Sequence, residues 1–290
     1  MTLFRRSGNW FAAVAAALAL SLPNVRGASL YLSVVAETFG PDSAAFAAAP
    51  GKPVTYAAVD GGYSSAGDPV GGEKPVPAPL IESAMAQALE GRGYQPAATG
   101  TAPAVLLVYN WGEIRRDSIQ VQPVNHLKGN DRARLLLVTR TADEKRIEQS
   151  IVDDRYTGIK MGAMTRTEPD REALQLAHDD IAFVVVSAYD VAALRQHQRK
   201  LVWQVKMTTR AIGHSMSDSL TNLIRYGAPY FGRNESTRQD LKETIVPAES
   251  TGPASPPPAI NQAPAGVDAA FVQGIVQSEH AMWSGRFPND

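Results

Sequence analysis

One segment constrains this chain more than any other: residues 181–186, IAFVVV. Six consecutive apolar residues, four of them β-branched, leave no polar face, so a strand made from them must be covered on both sides. The connection DVAALRQHQRK follows. Clean alternation comes next, with Leu201, Trp203, Val205 and Met207 on one side and Val202, Gln204, Lys206 and Thr208 on the other. A period of two with a polar side predicts a half-exposed strand, and the two strands should pair as a hairpin.

Upstream, residues 54–59 (VTYAAV) form a short strand candidate, apolar on both faces and ended by Asp60-Gly61-Gly62. Leu80-Ile81, Ala84-Met85 and Ala88-Leu89 then recur at helical spacing, and Gly91 and Gly93 stop that helix. Residues 105–109 (VLLVY) read as a central strand. Strand, helix and strand predict a βαβ unit with a right-handed crossover. Asn130 or Asp131 could start a helix through Arg134 and Leu137 to residues 147–151, yet residues 135–139 alone also fit a strand. The choice of helix or strand for residues 131–140 is open on short apolar runs. Thr167 caps a helix with Pro169 in its first turn. Ser215 and Asp218 resemble a capping box ahead of Met216, Leu220, Leu223 and Ile224, and Gly227 and Pro229 end that helix.

These signals predict an α+β fold: a mixed sheet of four to five strands with helices packed mainly on one face. The organisation expected is a signal peptide at 1–27, a lead-in arm at 28–53, the α+β domain at 54–245, a Pro/Ala-rich linker at 246–266 and an amphipathic tail at 267–290. The lead-in is Ala-rich and fits a strand, a short helix or an arm. In the tail, Phe271, Ile275, Met282 and Trp283 are the residues expected to dock, onto the chain itself or onto a partner.

The first 27 residues have the layout of a secretory signal. Arg5 and Arg6 precede a thirteen-residue apolar run at 10–22, Pro23 breaks it, and Val25 and Gly27 suit a cleavage site. That run is shorter than the roughly 20 residues of a comfortable membrane span; an uncleaved anchor is the other reading. The segment holds Arg5, Arg6 and Arg26 and no acid. Its removal takes the basic residues from 28 to 25 against 29 acidic ones, and the net charge from −1 to −4. The expectation is a periplasmic or secreted protein with no transmembrane span after cleavage. Such a charge balance speaks against a nucleic-acid partner. With no cysteine in the chain, thiol nucleophiles, Cys-ligated metals and disulfides are excluded, and stability is expected from apolar packing alone.

No catalytic, cofactor-binding or metal-binding residue is assigned, and no cofactor. His126, His178, His197, His214 and His280 do not fall at metal-ligand spacing on one helix. His178-Asp179-Asp180 is the densest titratable cluster, and it fits the polar end of a helix. Asp153-Asp154 and Asp60 are carboxylates without a demonstrated cleft. Gly71-Gly72-Glu73-Lys74 lacks the ending of a phosphate loop, and no G-x-S-x-G elbow occurs. Trp111 and Trp203 read as packing residues.

The order of features resembles a group of uncharacterised bacterial envelope proteins, many of them lipoproteins, grouped as a domain of unknown function. The resembling pieces are Gly91-Arg92-Gly93-Tyr94, Val105-Leu106-Leu107-Val108-Tyr109, residues 183–190 joined to Leu201-Val202-Trp203, and Ala228-Pro229-Tyr230-Phe231-Gly232-Arg233. Together they span about residues 54–233. Similar proteins often carry a lipidated Cys, which this chain lacks, and the resemblance implies no catalytic residues. The functional expectation is an exported, non-catalytic domain that binds a protein or cell-envelope component. The alternative is an exported hydrolase with an unrecognised acid–base or metal site near His178, Asp179 and Asp180 or near Asp60.

Overall fold

A computed structural model describes residues 28–67, 76–98, 100–115, 129–157, 166–211, 214–248 and 263–286, with side chains in the 129–157 segment up to 151. The signal segment and residues 249–262 of the linker lie outside the described residues, as do His126 and Gly71-Gly72-Glu73-Lys74. The elements run β1 (Ser29–Thr38), a 3-10 turn (Pro41–Phe46), β2 (Val54–Ala66), α1 (Ala78–Glu90), β3 (Tyr94–Pro96) and β4 (Val105–Ile114). They continue α2 (Gly129–Val138), α3 (Thr141–Thr157), α4 (Glu168–Ala177), β5 (Ile181–Asp190), α5 (Val191–Leu194) and β6 (Leu201–Arg210). The last are α6 (Met216–Gly227), a second 3-10 turn (Ala228–Tyr230), β7 (Gln239–Thr244) and α7 (Ala269–Trp283).

Among the described residues seven strands form one sheet in the order β3-β2-β4-β5-β6-β1-β7. β2 runs parallel to β3 and β4, and every other pairing is antiparallel. The fold is therefore α+β with a mixed sheet, as the periodicity predicts, but with seven strands rather than four to five. The additional strands are β1, β3 and β7. β1 sits between β6 and β7, so the segment read as a lead-in is an interior strand of the same sheet.

Helices cover both faces of the sheet, which corrects the one-face expectation. On the first face α1 and α6 lay Ile81, Met85, Leu89, Leu220, Leu223 and Ile224 onto Leu107, Val184, Val186 and Val205. On the second, α2, α4 and α7 cover Leu106, Val108, Phe183 and Val185. That is why every residue of β5 is buried. It is also why β6 is not half-exposed: Gln204, Lys206 and Thr208 lie beneath the second helical layer, and Lys206 is 2% exposed.

Two local readings change as well. Asp60-Gly61-Gly62 does not end β2. The strand runs through it with a bulge, where the register against β4 shifts between Asp60 and Gly62. Asp60 Oδ1 accepts from the Gly62 N–H at 2.7 Å and from Trp111 Nε1 at 3.2 Å. Gly61 has no side chain because the Asn110 amide fills that space; a Cβ would meet its Oδ1 at 2.3 Å. Residues 131–138 are helical, and the helix breaks at Thr139–Arg140 before α3 begins.

Packing is not purely apolar. Glu37 on β1 and Lys206 on β6 form a buried ion pair at 3.3 Å. Glu37 Oε1 also accepts the Thr141 N–H at 2.9 Å, capping α3, while Lys206 Nζ donates to the Thr139 carbonyl at 2.5 Å. One carboxylate and one ammonium thus fasten the α2–α3 junction to the sheet. Burial lowers the Lys206 pKa, and the Glu37 carboxylate opposes that shift.

Candidate functional site

The tail residues come to rest on this chain's own sheet. α7 starts at Asp268, whose Oδ1 accepts the Ala270 N–H at 2.8 Å. Ile275 and Trp283 are buried, and Phe271 and Met282 pack at the margins of the same layer. Glu279, 3% exposed at its side chain, fixes the helix. Its carboxylate accepts from the Tyr189 hydroxyl, from Trp283 Nε1 at 2.8 Å, from Ser187 Oγ at 3.3 Å and from Arg199 Nη2 at 3.4 Å. Burial and the facing carboxylate push the Tyr189 pKa upward, so the phenol remains a donor to Glu279. The first residues of the linker are tied down too: Asn222 exchanges two hydrogen bonds with the Val246 backbone, and Asp218 Oδ1 accepts the Ala248 N–H.

The candidates at His178, Asp179 and Asp60 stay in separate local contacts, and the side chains of Asp153 and Asp154 lie outside the described residues. His178 is the C-cap of α4, and Asp179 pairs with Arg210 at 2.8 Å. Asp60 holds the β2 bulge. Among the described residues no group of three or more His, Asp or Glu side chains could hold a metal ion. One Ser–His contact has no signature in the sequence: His280 Nδ1 lies 3.4 Å from Ser64 Oγ and 3.0 Å from the Gly61 carbonyl. A carbonyl only accepts, so its partner Nδ1 carries the hydrogen, and that nitrogen is then no base toward Ser64.

Two sequence pieces that lie far apart along the chain do converge. Gly91-Arg92-Gly93, with Gln95, and Pro229, Phe231 and Arg233 line one open cleft of about 570 Å³, closed on its third side by residues 48–51 and Pro53. Phe231 in that lining rests on a buried aromatic floor: Trp203 stacks on Phe231 at 5.8 Å between centroids and meets Tyr94 at 5.9 Å. Trp203 Nε1 and the Tyr94 hydroxyl both donate to the Phe46 carbonyl, at 3.3 and 3.2 Å. That shared acceptor pins the first 3-10 turn over the floor. Gly232 closes the corner with φ +72°; a Cβ there would come within 2.7 Å of the Tyr94 oxygen and 2.9 Å of the Ala47 Cα. Its backbone therefore runs against the floor and carries Arg233 to the rim.

Arg92 and Arg233 are both exposed, and neither has an acidic partner among the described residues. Most described arginines are used otherwise, as in Arg146–Asp170, Arg210–Asp179 and Arg238–Glu172. Burial pushes the Tyr94 hydroxyl up to about 12, partly offset by its bond from the Ala48 backbone, so the floor adds no negative charge at neutral pH. Among the described residues the lining contains no Ser, Thr, His, Asp, Glu or Lys. Two exposed guanidinium groups in one lining are a donor chemistry that suits an anion.

No family model and no curated protein matches this sequence. Among solved structures, the chain is similar to the PelC dodecamer from Paraburkholderia phytofirmans, at 15% identity over 70% of this chain and 98% of that one, with a TM-score of 0.32. A point variant of the same protein gives 14% identity over 70% and 99%, with a TM-score of 0.31. A PDZ domain protein from Parabacteroides distasonis gives 6% identity over 80% of this chain and 42% of that one, with a TM-score of 0.35. Among the described residues no helix is long and apolar enough to cross a membrane.

Proposed function

We propose that this chain is an exported, non-catalytic binding module, and that its cleft holds a carboxylate or phosphate group of a cell-envelope component. The observation that carries the reading is the pair Arg92 and Arg233, two guanidinium groups without acidic partners among the described residues, at one cleft backed by the Phe231–Trp203 stack. Two forks at one site favour a multivalent or doubly charged anion. The export half rests on the N-terminal arginines and apolar run.

The test uses glucuronate and inorganic phosphate as probes, with amide chemical shifts read during titration. Saturable shifts confined to residues 91–95 and 229–233 are expected. Arg92→Ala and Arg233→Ala should each weaken binding about tenfold or more, in line with the ~1.5–3 kcal/mol of a hydrogen bond to a charged group. Unchanged affinity in both variants would remove the cleft from the reading. Detection of the unprocessed chain in the cytosol would remove the export half.

A further inference from the structure

We infer that a second copy of this chain extends the sheet through β7, edge to edge about a two-fold axis that sets Leu241 opposite Leu241 of the second copy. Among the described residues β7 ends the strand order and pairs only with β1. The bond from the Ile245 N–H to the Ala28 carbonyl fixes which backbone groups are used. In that register Gln239, Leu241 and Glu243 turn their N–H and C=O groups toward β1, and Asp240, Lys242 and Thr244 turn theirs outward. The three outward residues are exposed. The Thr244 carbonyl accepts from the Tyr226 hydroxyl at 2.6 Å. Both backbone groups of Asp240 and of Lys242 are left facing outward at the edge, a template for another strand.

Charge selects both the occupant and the register. Outward-facing residues must bond to outward-facing residues, so antiparallel self-pairing that joins at least three residues of this strand has four registers. One sets Glu243 against Glu243, one Asp240 against Asp240 and one Lys242 against Lys242; all three oppose like charges. The fourth, centred on Leu241, sets Asp240 against Lys242 twice, with Leu241 on Leu241 at the axis and Gln239 beside Glu243. The strand QDLKET is thus complementary to itself in one register only. An axis normal to the sheet keeps like faces together. It places both Leu241 side chains on the α1–α6 face, where each packs at the edge of its own core. On the opposite face lies Tyr31, 62% exposed, with Lys242 Nζ 5.2 Å from its ring centroid. Within its own chain Asp240 pairs with Arg238 at 2.9 Å and accepts from Ser33 Oγ, so the Lys242 ammonium of the second copy would join a carboxylate already held in place on that face. Neither Arg92 nor Arg233 takes part, so this inference and the anion cleft stand or fall separately.

The absence of native cysteine makes the test direct. In the exported chain as purified, Leu241→Cys should give a covalent dimer under mild oxidation. Residues at such non-hydrogen-bonded sites sit ~4.5 Å apart between Cα atoms, within disulfide reach. Gln239→Cys, which would face Glu243, should not cross-link. Sedimentation of the unmodified chain should show a monomer–dimer equilibrium. Asp240→Lys and Lys242→Asp should each weaken it about tenfold or more, and the double exchange should restore it, since the opposite charges then face each other again. Matching circular dichroism and melting separate a lost interface from a lost fold. A monomer up to the solubility limit, a Leu241→Cys chain that stays uncross-linked, or a dimer indifferent to both charge reversals would overturn the inference.

Discussion

The two faces of the sheet are covered by helices in different ways. Under α1 and α6 the contact is apolar: Ile81, Met85 and Leu89 from one helix and Leu220, Leu223 and Ile224 from the other. Under α2, α4 and α7 the apolar residues are interleaved with buried charge, Glu37 with Lys206 and Glu279 with Arg199, Tyr189, Ser187 and Trp283. A greasy stripe can slide; a buried carboxylate with four donors has one place to sit. The first face draws its energy from area, and the second combines area with direction. The polar clamps fix where the α2–α3 junction and α7 rest.

That comparison can be broken most directly at α7. Val272, Ile275, Val276 and Trp283 are buried, and each is worth roughly 1.5–3 kcal/mol against a total stability of about 5–15 kcal/mol. Deleting residues 263–290 would also uncover Leu106 and Val108 and strand Ser187 and Tyr189 without their carboxylate. Cooperative unfolding should be lost or its midpoint should collapse. Trp283→Ala alone should cost about 3–5 kcal/mol in a denaturant titration, against about 2–5 kcal/mol for Leu223→Ala on the other face. A truncated chain that melts like the whole one would show that α7 merely rests on the sheet.

The two faces were also unequally legible. The α1 and α6 stripes stand out because every third or fourth residue is Leu, Ile or Met, and a clean period identifies a helix before its partner is known. On the second face the same logic misled. Gln204, Lys206 and Thr208 alternate with apolar residues, which ordinarily marks solvent, and only Glu37, 169 positions earlier, explains how Lys206 can be buried. β1 was open because its alternation is blurred by Ala and Ser, and β7, QDLKET, has one apolar residue in six. The cleft was half-legible. Arg92 and Arg233 lie in two of the four sequence pieces singled out above, but their meeting depends on Trp203, which packs between Tyr94 and Phe231. No local pattern encodes that three-way contact.

The next test asks whether the Glu37–Lys206 pair is fastening or filler. Lys206→Met leaves Glu37 buried with the Thr141 donors and Arg140 at 3.7 Å as its remaining company. Breaking a buried pair from one side costs about 3–5 kcal/mol, whereas replacing both charged groups can be nearly neutral. Lys206→Met should therefore destabilise by about 3 kcal/mol. Adding Glu37→Gln should recover most of that loss, because Gln can still accept the Thr141 N–H. A double variant no better than the single one would mean that the carboxylate's cap on α3, rather than the ion pair, holds the junction.

The smallest effect lies farthest from the sheet, where Asp170 at the start of α4 holds Arg146 of α3 at 2.5 and 2.8 Å and accepts the Thr167 N–H at 3.0 Å. The Arg146 guanidinium, helped by the Thr167 bonds and opposed by burial, lowers the Asp170 carboxyl from 3.8 to about 2. A carboxylate bound more tightly in the folded state stabilises it fully above its unfolded pKa, and that contribution drains away as pH falls through the folded value. The loss should therefore run from about pH 4 down to about pH 2. Arg146 is 51% exposed, so screening trims the gain to about 1–2 kcal/mol. Asp170→Asn should differ from the parent by that amount at neutral pH and converge with it in acid. Subtracting the two melting curves at each pH cancels the other carboxylates. A difference that persists unchanged at pH 2 would assign Asp170 to capping geometry alone, and would leave the outer helices held, like the first face, by packing without a charge that acid can switch off.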